Sequence, residues 1–169
     1  PSPSRIQISE DLVDPPLAEE VLITPDGQYA FVRQFGATDL LLVDLDDLDV
    51  SSIAVGDNPT DLDLMPDGLH AIALARASRE LWIYDLAAIG DDARVVPLPS
   101  TEYFGSIVMS PDGTKGLLYS TATELSRFGA WNTETDEVEV RGLVKPVSSV
   151  GISPDGGMAL IFHPKDNGD

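Results

Sequence analysis

Cysteine is absent from the 169 residues, which excludes disulfides and thiol chemistry and leaves the compartment open. Long apolar runs are missing as well. No stretch approaches the about 18 apolar residues of a membrane-spanning helix, so membrane insertion is not expected. Basic residues are scarce, ten against 29 acidic ones, and lysine occurs only at Lys115, Lys145 and Lys165. The resulting net charge of −19 repels phosphate backbones and anionic membranes, which argues against nucleic acid as a partner. No Gly-x-Ser-x-Gly elbow and no phosphate-cradling glycine loop occur, so nucleophilic catalysis and nucleotide binding find no support. His70 and His163 have no cysteine or acidic residue at ligand spacing and read as structural or surface residues.

What the chain does contain is a repeat. Pro-Asp-Gly stands at Pro25-Asp26-Gly27, Pro66-Asp67-Gly68, Pro111-Asp112-Gly113 and Pro154-Asp155-Gly156, at intervals of 41, 45 and 43 residues. A period of roughly 40–45 residues built from short strands is that of a four-stranded propeller blade. Four residues before each proline stand Val21, Leu62, Ile107 and Val150, and two before it Ile23, Leu64, Met109 and Ile152. Apolar residues at every second position predict a half-buried first strand, A. In the turn, proline presets φ, aspartate bonds the backbone two residues on, and glycine accepts positive φ.

Three residues after the glycine the side chain is always small (Ala30, Ala71, Gly116, Ala159), and the next is large and apolar. The small residue predicts close approach of neighbouring sheets at a buried position of strand B, over about 29–34, 70–75, 115–120 and 158–163. Strand C follows as Leu40–Asp44, Leu81–Asp85 and Phe128–Asn132, then strand D as Ser52–Val55, Arg94–Leu98 and Val138–Arg141. Arg5–Ile8 reads as a lone outer strand, and Leu86–Ile89 as at most one helical turn. Such units bury both faces only by stacking, as a ring or as a solenoid. The period and the hairpin turns favour the ring. The expected fold is therefore an all-β propeller of four-stranded antiparallel blades. An N-terminal segment (1–16) precedes blades at 17–56, 57–99 and 100–142, and 143–169 is a partial fourth.

The run from Gly56-Asp57-Asn58-Pro59 through Leu64-Met65-Pro66-Asp67-Gly68 resembles the repeat of bacterial YVTN-type β-propellers. Ser110-Pro111-Asp112-Gly113 and Ser153-Pro154-Asp155-Gly156 equally resemble WD40-like (PD40, TolB-type) repeats. The similarity spans about residues 17–163. It implies a propeller and little about chemistry, because such propellers serve as surface proteins, binding scaffolds, lactonases and dehydrogenase subunits. Strand B lacks the Tyr-Val-Thr-Asn signature, which leaves the subfamily open. About three and a half blades are present, so either a longer chain or a second copy is expected to complete the ring.

Candidate sites follow from this frame. The B–C and D–A loops share one face around the channel mouth, where Arg76, Arg79 and Tyr103 stand out in a base-poor chain. Asp61 and Asp63 alternate with Leu62 and Leu64 on the innermost strand, where paired carboxylates bind a cation or divide acid and base roles. Asp44, Asp46, Asp47 and Asp49 crowd one C–D turn. They read as a solvated loop or, secondarily, as a calcium site, although leucines interrupt the run. No cofactor is predicted beyond that calcium. The favoured reading is a non-enzymatic exported scaffold, extracellular, periplasmic or at the cell surface with or without a lipid anchor, binding a protein, glycan or other ligand over the channel mouth. The alternative is a lactonase-like hydrolase using Asp61 and Asp63 with a divalent cation.

Overall fold

The computed structural model describes residues 7–8, 17–90, 92–122 and 124–165. The expected strand at Arg5–Ile8 lies largely outside them, as does Asp91. Three meander sheets follow one another in the chain. The first holds β1 (Ala18–Ile23), β2 (Tyr29–Gln34), β3 (Asp39–Asp44) and β4 (Val50–Ala54). The second holds β5 (Pro59–Leu64), β6 (His70–Ala75), β7 (Glu80–Asp85) and β8 (Arg94–Pro97). The third holds β9 (Ser106–Met109), β10 (Lys115–Tyr119), β11 (Arg127–Asn132) and β12 (Val138–Gly142), and β13 (Ser149–Ile152) with β14 (Ala159–Phe162) begins a fourth. All pairings are antiparallel between consecutive strands. No helix occurs among the described residues, so none is long and apolar enough to cross a membrane. Leu86–Ile89 is a turn rather than helix, and β4 starts two residues before the expected Ser52.

The Pro-Asp-Gly turns are built alike. The glycine N–H donates to the carbonyl three residues back in all four, at 2.8–2.9 Å, with glycine φ between +67° and +73°. In three of them the hydroxyl before proline (Thr24, Ser110, Ser153) donates to the aspartate at 2.6 Å. These bonds, with the backbone N–H groups of Gln28, Thr114 and Gly157, hold the three carboxyls below the ordinary aspartate range. The second turn has Met65 in that place, turned into the core, and Asp67 instead meets His70 Nδ1 at 2.7 Å. His70 therefore has the acidic partner that linear spacing did not reveal.

First strands touch in succession, β1 to β5, β5 to β9 and β9 to β13, which places them innermost. Between sheets one and two, Phe31, Leu40 and Leu42 pack on the alanine strip Ala71, Ala73 and Ala75. Between sheets two and three, Ile72, Leu74, Leu81 and Ile83 pack on Ile107, Met109, Leu118 and Trp131. A Cβ at Gly116 would lie 2.8 Å from the Trp131 ring and 3.0 Å from Ile107, so the small residue is required there.

The end units depart from the expected burial. Val21 and Ile23 are exposed because no sheet among the described residues packs on that side of β1, and Ala159 is exposed in the two-stranded last unit. Ala30, Val32 and Val43 on that leading face are instead buried with Ile8 and Leu45 against them.

Candidate functional site

The meander order puts the Pro-Asp-Gly and C–D turns on one face and the B–C and D–A loops on the other. Asp26, Asp67, Asp112, Asp155 and the Asp44–Asp49 run belong to the first face, with Arg94 and Lys115 beside them, whereas Arg33, Arg76, Arg79, Arg127 and Lys145 lie at the second, among Glu19, Glu20, Asp57, Glu80 and Glu102. In a chain so poor in bases, five of its ten on one face mark that face out.

On this face Arg79 and Tyr103 meet. Arg79 Nη1 donates to the Tyr103 hydroxyl at 2.9 Å, and the guanidinium lies 5.1 Å from the ring centroid. Arg79 ends a tight B–C loop with φ of 60°, and its carbonyl accepts the Leu98 N–H at 2.8 Å. The loop is fixed, and Tyr103 stays 49% exposed above it. Arg76 is held by its own N–H donating to the Asn58 carbonyl at 3.0 Å. Its side chain converges with Thr60 and Ser120 around Gly105, where a Cβ would lie 3.6–3.8 Å from all three. The structure thus brings Arg76, Arg79 and Tyr103 onto one rigid rim.

Deeper in, the pairing register shifts by one residue between Ala18 and Glu20 and between Pro59 and Asp61. Asp61 Oδ2 accepts the Ile107 N–H at 2.7 Å, joining sheets two and three. Burial pushes its carboxyl up from 3.8 to about 6, against the pull of that hydrogen bond, with Glu20 and Asp63 adding repulsion. Tyr119 is raised by burial and by Asp61. Asp63 is exposed and bonds the neighbouring Leu64 N–H at 2.8 Å. The two aspartates share a strand face but differ in environment, Asp61 being half-buried in the seam and Asp63 exposed.

Several members of this face were not legible in the sequence. Arg33 bonds Glu19 at 2.5 Å and Glu20 at 3.0 Å, and reaches the Pro59 carbonyl at 3.3 Å. Those carboxylates outweigh its burial and raise its pKa. Glu102 is buried, with Oε1 accepting from Arg127 at 2.8 Å and Oε2 without a partner. The repeat alignment carries a faint signal for part of this set. Five residues before each proline stand Glu20, Asp61, Ser106 and Ser149, polar in every unit.

On the opposite face Asp44 Oδ1 accepts the N–H groups of Asp46 and Asp47 at 2.9 and 3.1 Å, as a turn-former does. Among the described residues no group of three or more His, Asp or Glu is placed to hold a metal ion, Asp44, Asp46, Asp47 and Asp49 included.

No family model and no curated protein matches the chain. Solved structures do. Hydrazine synthase of Kuenenia stuttgartiensis superposes with a TM-score of 0.72 at 19% identity, covering 97% of this chain and 47% of that one. A "putative 6-phosphogluconolactonase" from Bacteroides uniformis ATCC 8492 superposes with a TM-score of 0.63 at 19% identity, covering 87% and 47%. The chain spans about half the length of either neighbour. At this identity the likeness shows the fold alone, and that fold is a β-propeller.

Proposed function

We propose that the chain is a propeller segment of the YVTN-type or WD40-like (PD40, TolB-type) kind whose channel-mouth loops bind a protein or glycan ligand. The observation that carries this reading is the Arg79–Tyr103 pair, an exposed aromatic and a cation fixed on a rigid rim beside Arg76. Arginine and tyrosine are favoured interface anchors, Arg79 is already held against Tyr103, and loops on a stiff scaffold are where binding concentrates. The acidic remainder suits an exported, extracellular or periplasmic setting. Further blades of a longer chain, or a second copy, complete the ring.

A glycan array and hydrogen exchange test the reading together. The chain should retain a ligand that protects 76–79 and 103–105, and Arg79→Ala with Tyr103→Ala should lose it without losing the fold. Protection confined to the Pro-Asp-Gly face would overturn the assignment.

A second reading has one observation in its favour. Asp61, with a pKa near 6, is poised for proton transfer, and one neighbour carries a lactonase name. The carboxylates of Asp61 and Asp63 do not converge with a third metal-ligating residue among the described residues, so no step is routed through a cation. Lactone hydrolysis by the chain, lost in Asp61→Asn, would establish this reading. Equal rates for the two proteins would remove it.

A further inference from the structure

The outer rims of the two complete seams differ. Between sheets two and three, Arg94 Nη1 grips both oxygens of Asp136 at 2.6 and 2.7 Å, over a core that includes Val96, Trp131 and the packed Val138 and Val140. Between sheets one and two the rim is open. A groove of about 560 Å³ runs there between β4 and the segment before β8, floored by Leu42, Ile53, Trp82, Tyr84 and Ile89. A second hollow of about 410 Å³ shares Leu42 and Ser51 with it and continues along β4 to Asp44 and Asp49.

Beside the groove lies an unguarded sheet edge. β4 is the last strand of its sheet and reads Val50-Ser51-Ser52-Ile53-Ala54, without charge or proline. The equivalent edges are defended: β8 carries Arg94 and Pro97, and β12 carries Glu139 and Arg141. Charges and proline on an edge strand are the usual barrier to pairing with another chain, and β4 alone of the three lacks them. The aromatic floor is fixed. Tyr84 donates its hydroxyl to the Ala54 carbonyl at 2.7 Å, and Trp82 Nε1 donates to Glu80 at 3.0 Å. The charged residues lining the two hollows are Asp44, Asp49 and Asp92, all negative.

We propose that this groove binds an extended peptide segment that adds a strand to β4, with apolar side chains inserted over Trp82, Tyr84 and Ile89 and basic ones meeting the aspartates. The outward backbone groups of β4, apart from the Ala54 carbonyl that Tyr84 holds, supply the pairing, and pockets at alternate positions supply selectivity. Charge complementarity selects a basic partner over an acidic one.

The test uses the full chain and a synthetic peptide of about eight residues, the length of an ordinary strand, alternating lysine with valine or leucine. Hydrogen exchange should show peptide-dependent protection of 50–54. Replacing lysine by glutamate in the peptide, or N-methylating its amides, should remove that protection. Ser51→Lys, which puts a cation in both hollows, should weaken binding about tenfold or more through like-charge repulsion. Asp49→Asn should weaken it less. Failure of the lysine peptide to protect 50–54 overturns the proposal, as does equal binding of the glutamate or N-methylated peptide. Concentration-dependent protection of 50–54 without peptide, lost in Ser51→Lys, would also overturn it by assigning the edge to a second copy.

Discussion

Ile107 and Val21 occupy the same place in the repeat, four residues before a Pro-Asp-Gly proline, yet Ile107 is 5% exposed and Val21 59%. At the other end Leu160 is 64% exposed, whereas Ile72, its counterpart, is fully buried. Each unit encodes an apolar alternation, but the neighbouring sheet decides whether that alternation is buried. In a stacked architecture a unit's stability is largely an interface property, so equal residues at the ends and in the middle have unequal energetic weight.

Truncating both members of one pair separates the buried middle from the exposed end. Ile72→Ala should cost about 2–5 kcal/mol, the range for emptying a packed core site. Leu160→Ala should stay within about 0.5 kcal/mol, as for a surface change. Urea titrations of the two variants measure the difference, and similar losses would show that the last unit is buried in solution. The same exposed faces predict association. Light scattering should find wild type larger than a monomer, and Val21→Lys with Phe162→Lys should shift it toward the monomer. An unchanged size distribution would show that these faces are not what the copies share.

Overpacking gives a smaller contrast. Ala71 is fully buried with Phe31 and Leu40 between sheets one and two, so Ala71→Leu should cost about 1–3 kcal/mol. Ala159→Leu, at the equivalent exposed place, should be close to neutral. Thermal melts of the two proteins decide it, and equal melting temperatures would refute the close-approach role of the small residue.

The strand order was legible because each Pro-Asp-Gly turn fixes a hairpin and the residues around it state their faces. The end-unit exposures were not, since Val21 and Leu160 look like Leu62 and Ile72 until the sheets are stacked. Arg76, Arg79 and Tyr103 could be placed on one face by topology, but the Arg79–Tyr103 contact joins residues 24 apart in different loops. Arg33 with Glu20, Arg127 with Glu102 and Asp61 with the Ile107 N–H join positions 13, 25 and 46 apart. Nothing in the local pattern of any of these residues announces its partner. The register shifts before Glu20 and Asp61 are equally silent in sequence, because Glu19 and Thr60 look like ordinary strand residues.

The smallest expected effect is a pH dependence that separates the closed seam from the turns. Asp61 sits in the seam with its pKa raised from 3.8 to about 6, chiefly by burial. A group that holds its proton more tightly when folded adds stability that is complete below about pH 3.8 and lost as the pH rises through about 6. Partial exposure screens the effect, so a change on the order of 1–2 kcal/mol is expected across that window. Asp26, Asp112 and Asp155 have the opposite sign, since hydroxyl and N–H donors in the turns lower them. Their contribution is present above about pH 3.8 and disappears as the pH falls further. Asp61→Asn keeps an oxygen for the Ile107 N–H and removes the titration. Stability of the variant relative to wild type should therefore rise between pH 4 and about pH 6.5 and level off above it. A difference that stays flat across the window would place Asp61 in water rather than in the seam, and would remove the basis for any proton-transfer role at this carboxyl.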